Sequence, residues 1–119
     1  MLTLLRPEPM IAATTDRFRG TLQRWTIDAG PLAGMSCDRA FNEDWSLTWR
    51  VVSGPSQGQV GRARRFSVQP VRAQLCLVSF PTTLGEVVTA TVDFASKRFV
   101  GFHAGADYCH PVTGTIRVL

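Results

Sequence analysis

Only a few side chains in this sequence combine chemical capacity with an unusual position. Arg50 stands inside "TWRVVSG", residues 48–54, a short strand-like run. A guanidinium there needs either water or an anion to hold. His103 closes the run "RFVGFHA", residues 98–104, and imidazole is the side chain best suited to moving a proton near neutral pH. The segment "ADYCHP" then supplies Asp107, Tyr108, Cys109 and His110, which form either a polar turn or a lid bringing Tyr108 or His110 to a pocket mouth. Cys109 has no evident activating partner, so it is a weak nucleophile candidate. Asp93, in "TVDFASK", suits the turn that follows it.

Other chemistries lack their residues. No serine triad spacing or glycine-rich phosphate loop occurs. Cys37, Cys76 and Cys109 are widely spaced and form no CxxC pair, so no zinc ligand set is expected. Adjacent Cys109 and His110 would project oppositely from a strand. Neither a metal nor a cofactor is expected. An odd cysteine count without a disulfide framework fits a reducing, cytoplasmic setting.

These residues must be positioned by a single domain, since the chain has 119 residues. It is 45% hydrophobic and 18% charged, with a net charge of +4, the composition of an ordinary globular protein. Twelve of the 13 basic residues are Arg and only Lys97 is Lys. The one dense basic patch, Arg62, Arg64 and Arg65, is not interleaved with aromatics as a nucleic-acid surface would be. It reads as a solvated turn or a local anion contact. No apolar stretch is long enough for a membrane span, and the opening "MLTLLRPEPMIAA" is interrupted by Arg6, Pro7, Glu8 and Pro9. Residues 1–16 are expected to form a tail or strap, and 17–119 the folded domain.

Eight runs rich in Val, Phe, Trp and Thr follow, at 19–28, 35–41, 45–52, 62–69, 73–80, 86–94, 98–104 and 115–119. No window has a helical repeat. Short strands with frequent turns indicate an all-β sandwich or barrel, and short sequential connections favour an eight-stranded up-and-down barrel.

Within 45–52, Trp45, Leu47, Trp49 and Val51 share one face, and Ser46, Thr48, Arg50 and Val52 the other. Hydrophobicity alone turns the tryptophans inward and leaves Arg50 in water. The aromatics Trp25, Phe66, Phe80, Phe94, Phe99 and Phe102 are core by default, although some could line a cavity.

The runs "SLTWRVVSGPSQGQVG", "RFSVQPVRAQLCLVSF", "TTLGEVVTATVDF" and "RFVGFHAG" resemble the MoaF family of calycin-like, lipocalin-like β-barrels over about residues 19–118. A more distant similarity is to the phenolic acid decarboxylases. Their aromatic-Arg-aliphatic-X-Ser-Gly strand is matched by Trp49, Arg50, Val51, Val52, Ser53 and Gly54. That resemblance implies an inward Arg50 orienting a substrate carboxylate. It does not extend to the acidic residue of that family, because Phe80 and Pro81 stand where Glu-Pro would fall and Glu86 lies beyond an apparent loop.

The resulting expectation is a barrel that binds a small, partly apolar organic molecule. As an enzyme it would be a cofactor-independent lyase, isomerase or cyclase. Arg50, His103 and Tyr108 would be the catalytic groups, with Thr48, Trp25, Trp49, Phe80 and Phe102 around the ligand. The alternatives are a non-catalytic carrier or sensor and a filled barrel serving as an interaction module. The partner is a small ligand rather than nucleic acid or membrane, and exposed aromatics allow a homodimer.

Overall fold

The computed structural model describes residues 17–82 and 85–119; the expected tail or strap at 1–16 lies outside the described residues. Nine antiparallel strands form: β1 (Thr21–Ala29), β2 (Ser36–Phe41), β3 (Leu47–Ser53), β4 (Val60–Ala63), β5 (Ser67–Arg72), β6 (Leu75–Pro81), β7 (Val87–Asp93), β8 (Arg98–Ala104) and β9 (Cys109–Val118). Among the described residues none is helical. Among these residues no helix is long and apolar enough to cross a membrane.

The strand order is β4-β3-β2-β1-β9-β8-β7-β6-β5. Every strand pairs with a sequence neighbour, and the first strand also pairs with the last, Trp25 opposite Ile116. The edges, β4 and β5, are consecutive in the chain. The result is one curled up-and-down sheet, a half-barrel with its seam between β4 and β5.

The all-β, up-and-down expectation agrees with this architecture, but the strand count does not. The run 62–69 divides into β4 and β5. At the break Phe66 turns fully inside, and its N–H donates to the Trp45 carbonyl at 2.9 Å. That bond takes the backbone out of the ladder. The rings of Trp45 and Phe66 lie 5.0 Å apart, and the Arg65 guanidinium covers Trp45 at 5.4 Å. The segment expected to be the loop 105–114 is mostly strand, since β9 begins at Cys109 and pairs with β8 from Ala104 onward.

Side chains alternate in and out as the pleat requires. Gln23, Trp25 and Ile27 point inward from β1, Cys37, Arg39 and Phe41 from β2, and Val88, Ala90 and Val92 from β7. On β3 the inward face is Leu47, Trp49 and Val51, and Thr48 and Arg50 are exposed. The inward Arg50 implied by the decarboxylase resemblance is therefore corrected: burying the tryptophan face removes far more apolar surface from water.

One end of the half-barrel is filled by aromatics. Phe41 makes edge contacts with Phe18 at 5.1 Å and Phe66 at 5.0 Å. Such pairs add to their area burial. Toward the middle, Trp25 and Phe99 lie 4.6 Å apart. Gly114 permits this: a Cβ there would stand 1.9 Å from the Thr26 carbonyl oxygen and 2.8 Å from the Phe99 ring. Phe41→Ala is expected to lower unfolding free energy by about 3–5 kcal/mol, the range for truncating a buried aromatic. Urea denaturation checks this, and a loss below about 1 kcal/mol would show that the end is loosely packed.

Candidate functional site

The opposite end holds a cavity of about 180 Å³. Its walls are mostly apolar, including Trp25, Trp49, Val88, Phe99 and Val112. Trp49 lies over β4, where Gly61 leaves room: a Cβ would approach the indole to 2.1 Å. Leu32 and Met35 from the β1–β2 connection and Ser56 and Gln59 from the β3–β4 connection border the opening, with Thr82 and Glu86 from between β6 and β7.

Polar chemistry gathers at two places. At the rim, Glu86 continues the inward parity of Val88, Ala90 and Val92, and Tyr108 that of Val112 and Ile116. Val88 is opposite His103, and His103 opposite His110, so these strand ends meet. The His103 Nε2 lies 3.3 Å from Glu86 Oε1, a contact that requires the proton on Nε2 to be a hydrogen bond. Tyr108 donates its hydroxyl to Glu86 Oε2, and Thr82 Oγ1 donates to Oε1 at 3.3 Å. The tight β8–β9 connection fixes Tyr108: Gly105 N–H donates to its carbonyl at 3.0 Å. A Cβ on Gly105 would press within 2.7 Å of the phenol ring. His110 stacks on Tyr108 at 4.9 Å. The hydrogen bond to Glu86 holds the Tyr108 phenol above its ordinary range, and desolvation and the carboxylate charge add to it.

Deeper inside, Arg39 lies on the inward face of β2, 6% exposed. Its guanidinium sits 4.8 Å from the Phe80 ring centre and 5.4 Å from that of Trp25. Trp25 is itself held, its indole N–H donating to Gln23 Oε1 at 3.0 Å, while Gln23 Nε2 donates to the Arg17 carbonyl at 2.8 Å. Arg39 Nε is buried with no hydrogen-bond partner among the described residues. No ion pair among the described residues includes Arg39. Burial pushes its pKa down. Cys37, on the same wall, is held above the usual thiol range by burial. Among the described residues no cluster of His, Cys, Asp and Glu has the arrangement of a metal site.

The expected site residues therefore separate. Trp25, Trp49 and His103 line the cavity, Tyr108 joins them at the mouth through Glu86, and Phe80 is buried beneath Arg39. Thr48 and Arg50 lie on the outer face of β3, and Phe102 is 52% exposed on the outside of β8. Asp93 caps its turn by accepting from Ala95 N–H at 2.9 Å. Arg39 was missed although "MSCDRAF" carries its signal: Met35, Cys37 and Phe41 share its parity.

No family model matches the sequence, and no curated protein does. Among solved structures, the fold matches the crystal structure of "a putative beta-lactamase from Burkholderia vietnamiensis". The TM-score is 0.73 at 23% identity, over 86% of this chain and 95% of that one. The likeness is one of fold.

Two outcomes test the geometry. The chain has a single tyrosine, so tyrosinate absorbance reports Tyr108 alone. Its titration midpoint is expected above that of a free phenol, about 10, and to fall toward it in Glu86→Gln; an unchanged midpoint would break the Tyr108–Glu86 link. Because the folded-state pKa is raised, the stability it contributes is present below the unfolded value and is lost as pH rises through the folded one. Arg50→Met is expected to change stability by no more than about 0.5 kcal/mol. A larger effect in a thermal melt would show that Arg50 does more on the outer face than lie across from Asp38.

Proposed function

We propose that this half-barrel is a cofactor-independent acid–base enzyme, of the lyase, isomerase or cyclase kind, acting on a small, partly apolar organic molecule. The observation that supports it most is the Glu86 carboxylate at the edge of an apolar cavity, held on one oxygen by Tyr108 and on the other by His103 and Thr82. A carboxylate fixed beside an apolar cavity is a competent base toward a carbon or oxygen acid. In the proposed cycle Glu86 takes the substrate proton, and Tyr108 or His103 returns one to the developing anion. The phenol's raised pKa keeps that proton in place over the neutral range.

The resemblance to MoaF-like calycin barrels belongs to this reading as a likeness of fold, which by itself assigns no chemistry. A lactamase activity transferred from the fold neighbour has less support. The serine on the cavity wall, Ser56, is on an exposed connection, and no lysine lines the cavity to activate it.

The test needs no knowledge of the substrate. Nitrobenzisoxazole, a neutral ring, opens to a cyanophenolate when a base removes its ring C–H proton: that C–H bond breaks, the nitrile forms, and the N–O pair leaves with oxygen. The protein is expected to accelerate this opening, and Glu86→Gln to slow it by about 100-fold or more. Equal rates in the two proteins, with the probe still bound, would leave a carrier rather than an enzyme.

A further inference from the structure

Position 39 is one where an apolar side chain would serve packing better. It lies between buried Cys37 and Phe41 on the inner face of β2, yet it carries a permanent cation. A buried cation without a partner is costly. Among the described residues, the aromatic faces of Phe80 and Trp25 lie against the guanidinium. They cover its flat surfaces, Nε is a buried donor with no hydrogen-bond partner among the described residues, and the side chain borders the cavity. Gln23 fixes Trp25, and Trp25 helps fix the guanidinium plane, so the guanidinium is pre-organised before any ligand arrives.

We propose that Arg39 is the anchor for a small organic monoanion, a carboxylate on a flat apolar body about the size of one ring. The class follows from charge, geometry and volume together. The guanidinium fork matches a carboxylate with two parallel hydrogen bonds, which a point charge could not reproduce. Arg39 is the cation on the cavity wall, and Glu86 stands at the rim, so a dianion would be left with excess negative charge in an apolar space. A volume of about 180 Å³ is of the same order as the roughly 150 Å³ apolar cavity known to admit benzene. The ring of such a ligand would lie among Trp25, Phe99 and Val112. This inference rests on reading the cavity as a ligand site, but not on Glu86 acting as a base.

Calorimetric titration of the full chain with benzoate, and with neutral benzamide as its isostere, tests the anchor. Benzoate is expected to bind at least about tenfold more tightly than benzamide. Arg39→Met is expected to weaken benzoate by about 30-fold or more, as loss of one partner of a buried charged contact does, and to leave benzamide within about threefold. Arg39→Lys should restore only part of the preference. Equal affinity for the two probes, no binding of either, or benzoate binding that survives Arg39→Met would overturn the proposal. Should Arg39→Met not fold, the benzoate–benzamide comparison on the unaltered protein decides alone. Opening of neutral nitrobenzisoxazole without a benzoate preference removes the anchor and leaves the acid–base reading. A benzoate preference with ring opening indifferent to Glu86→Gln does the reverse.

Discussion

The packing of Trp25 is the contact on which the rest of the half-barrel turns. Its ring meets Phe99 at 4.6 Å, Phe80 at 5.9 Å and Phe41 at 6.4 Å, joining β1 to β2, β6 and β8. The same ring separates the filled end from the open one. On one side lie Phe18, Phe41 and Phe66, and on the other a space bounded by Val88, Val112 and the loops. The Gln23 bond to its indole N–H lets a polar atom go to the bottom of the core without loss. A different ring orientation would take the indole donor from the Gln23 side-chain carbonyl and one of its two rings from Arg39.

That division puts the packed aromatics and the titratable side chains of the rim at opposite ends. Aromatic edge contacts rigidify the closed end, whereas the open end is assembled from strand termini and connections. Glu86, His103 and Tyr108 reach one another because β7, β8 and β9 are registered neighbours whose inward faces run past the last ladder pairs. Connections can vary in sequence while the strands beneath hold position. The rim is thus both precise and adjustable.

Much of this was legible in the sequence, and the errors have identifiable causes. Alternation of apolar residues located most of the strands and the class of the fold. It failed at 62–69 because Phe66 folds inward across a break that period-two counting cannot see. It also failed at 105–114, where Pro111 and two glycines suggested a loop, although Pro111 lies in β9. For the arginines the parity was already decisive. Trp45, Leu47, Trp49 and Val51 turn Arg50 outward, and Cys37 and Phe41 turn Arg39 inward; similarity to a distant motif pointed to the wrong one of the two. Glu86 was harder to place, because its role depends on Tyr108 coming from a different hairpin.

The remaining question is why a fold should keep an arginine at position 39 at all. Packing gives no reason, since an apolar residue of similar length would cover Phe80 and avoid desolvating a charge. Cation–π contact with two rings returns part of that cost, but the orphan Nε shows that the balance is incomplete among the described residues. Specifying β2's orientation gives no reason either, because Cys37 and Phe41 already do so. A residue that is unfavourable for the folded chain, held in place by rings that are themselves fixed, and set on the wall of a cavity, is what the proposed ligand anchor would explain.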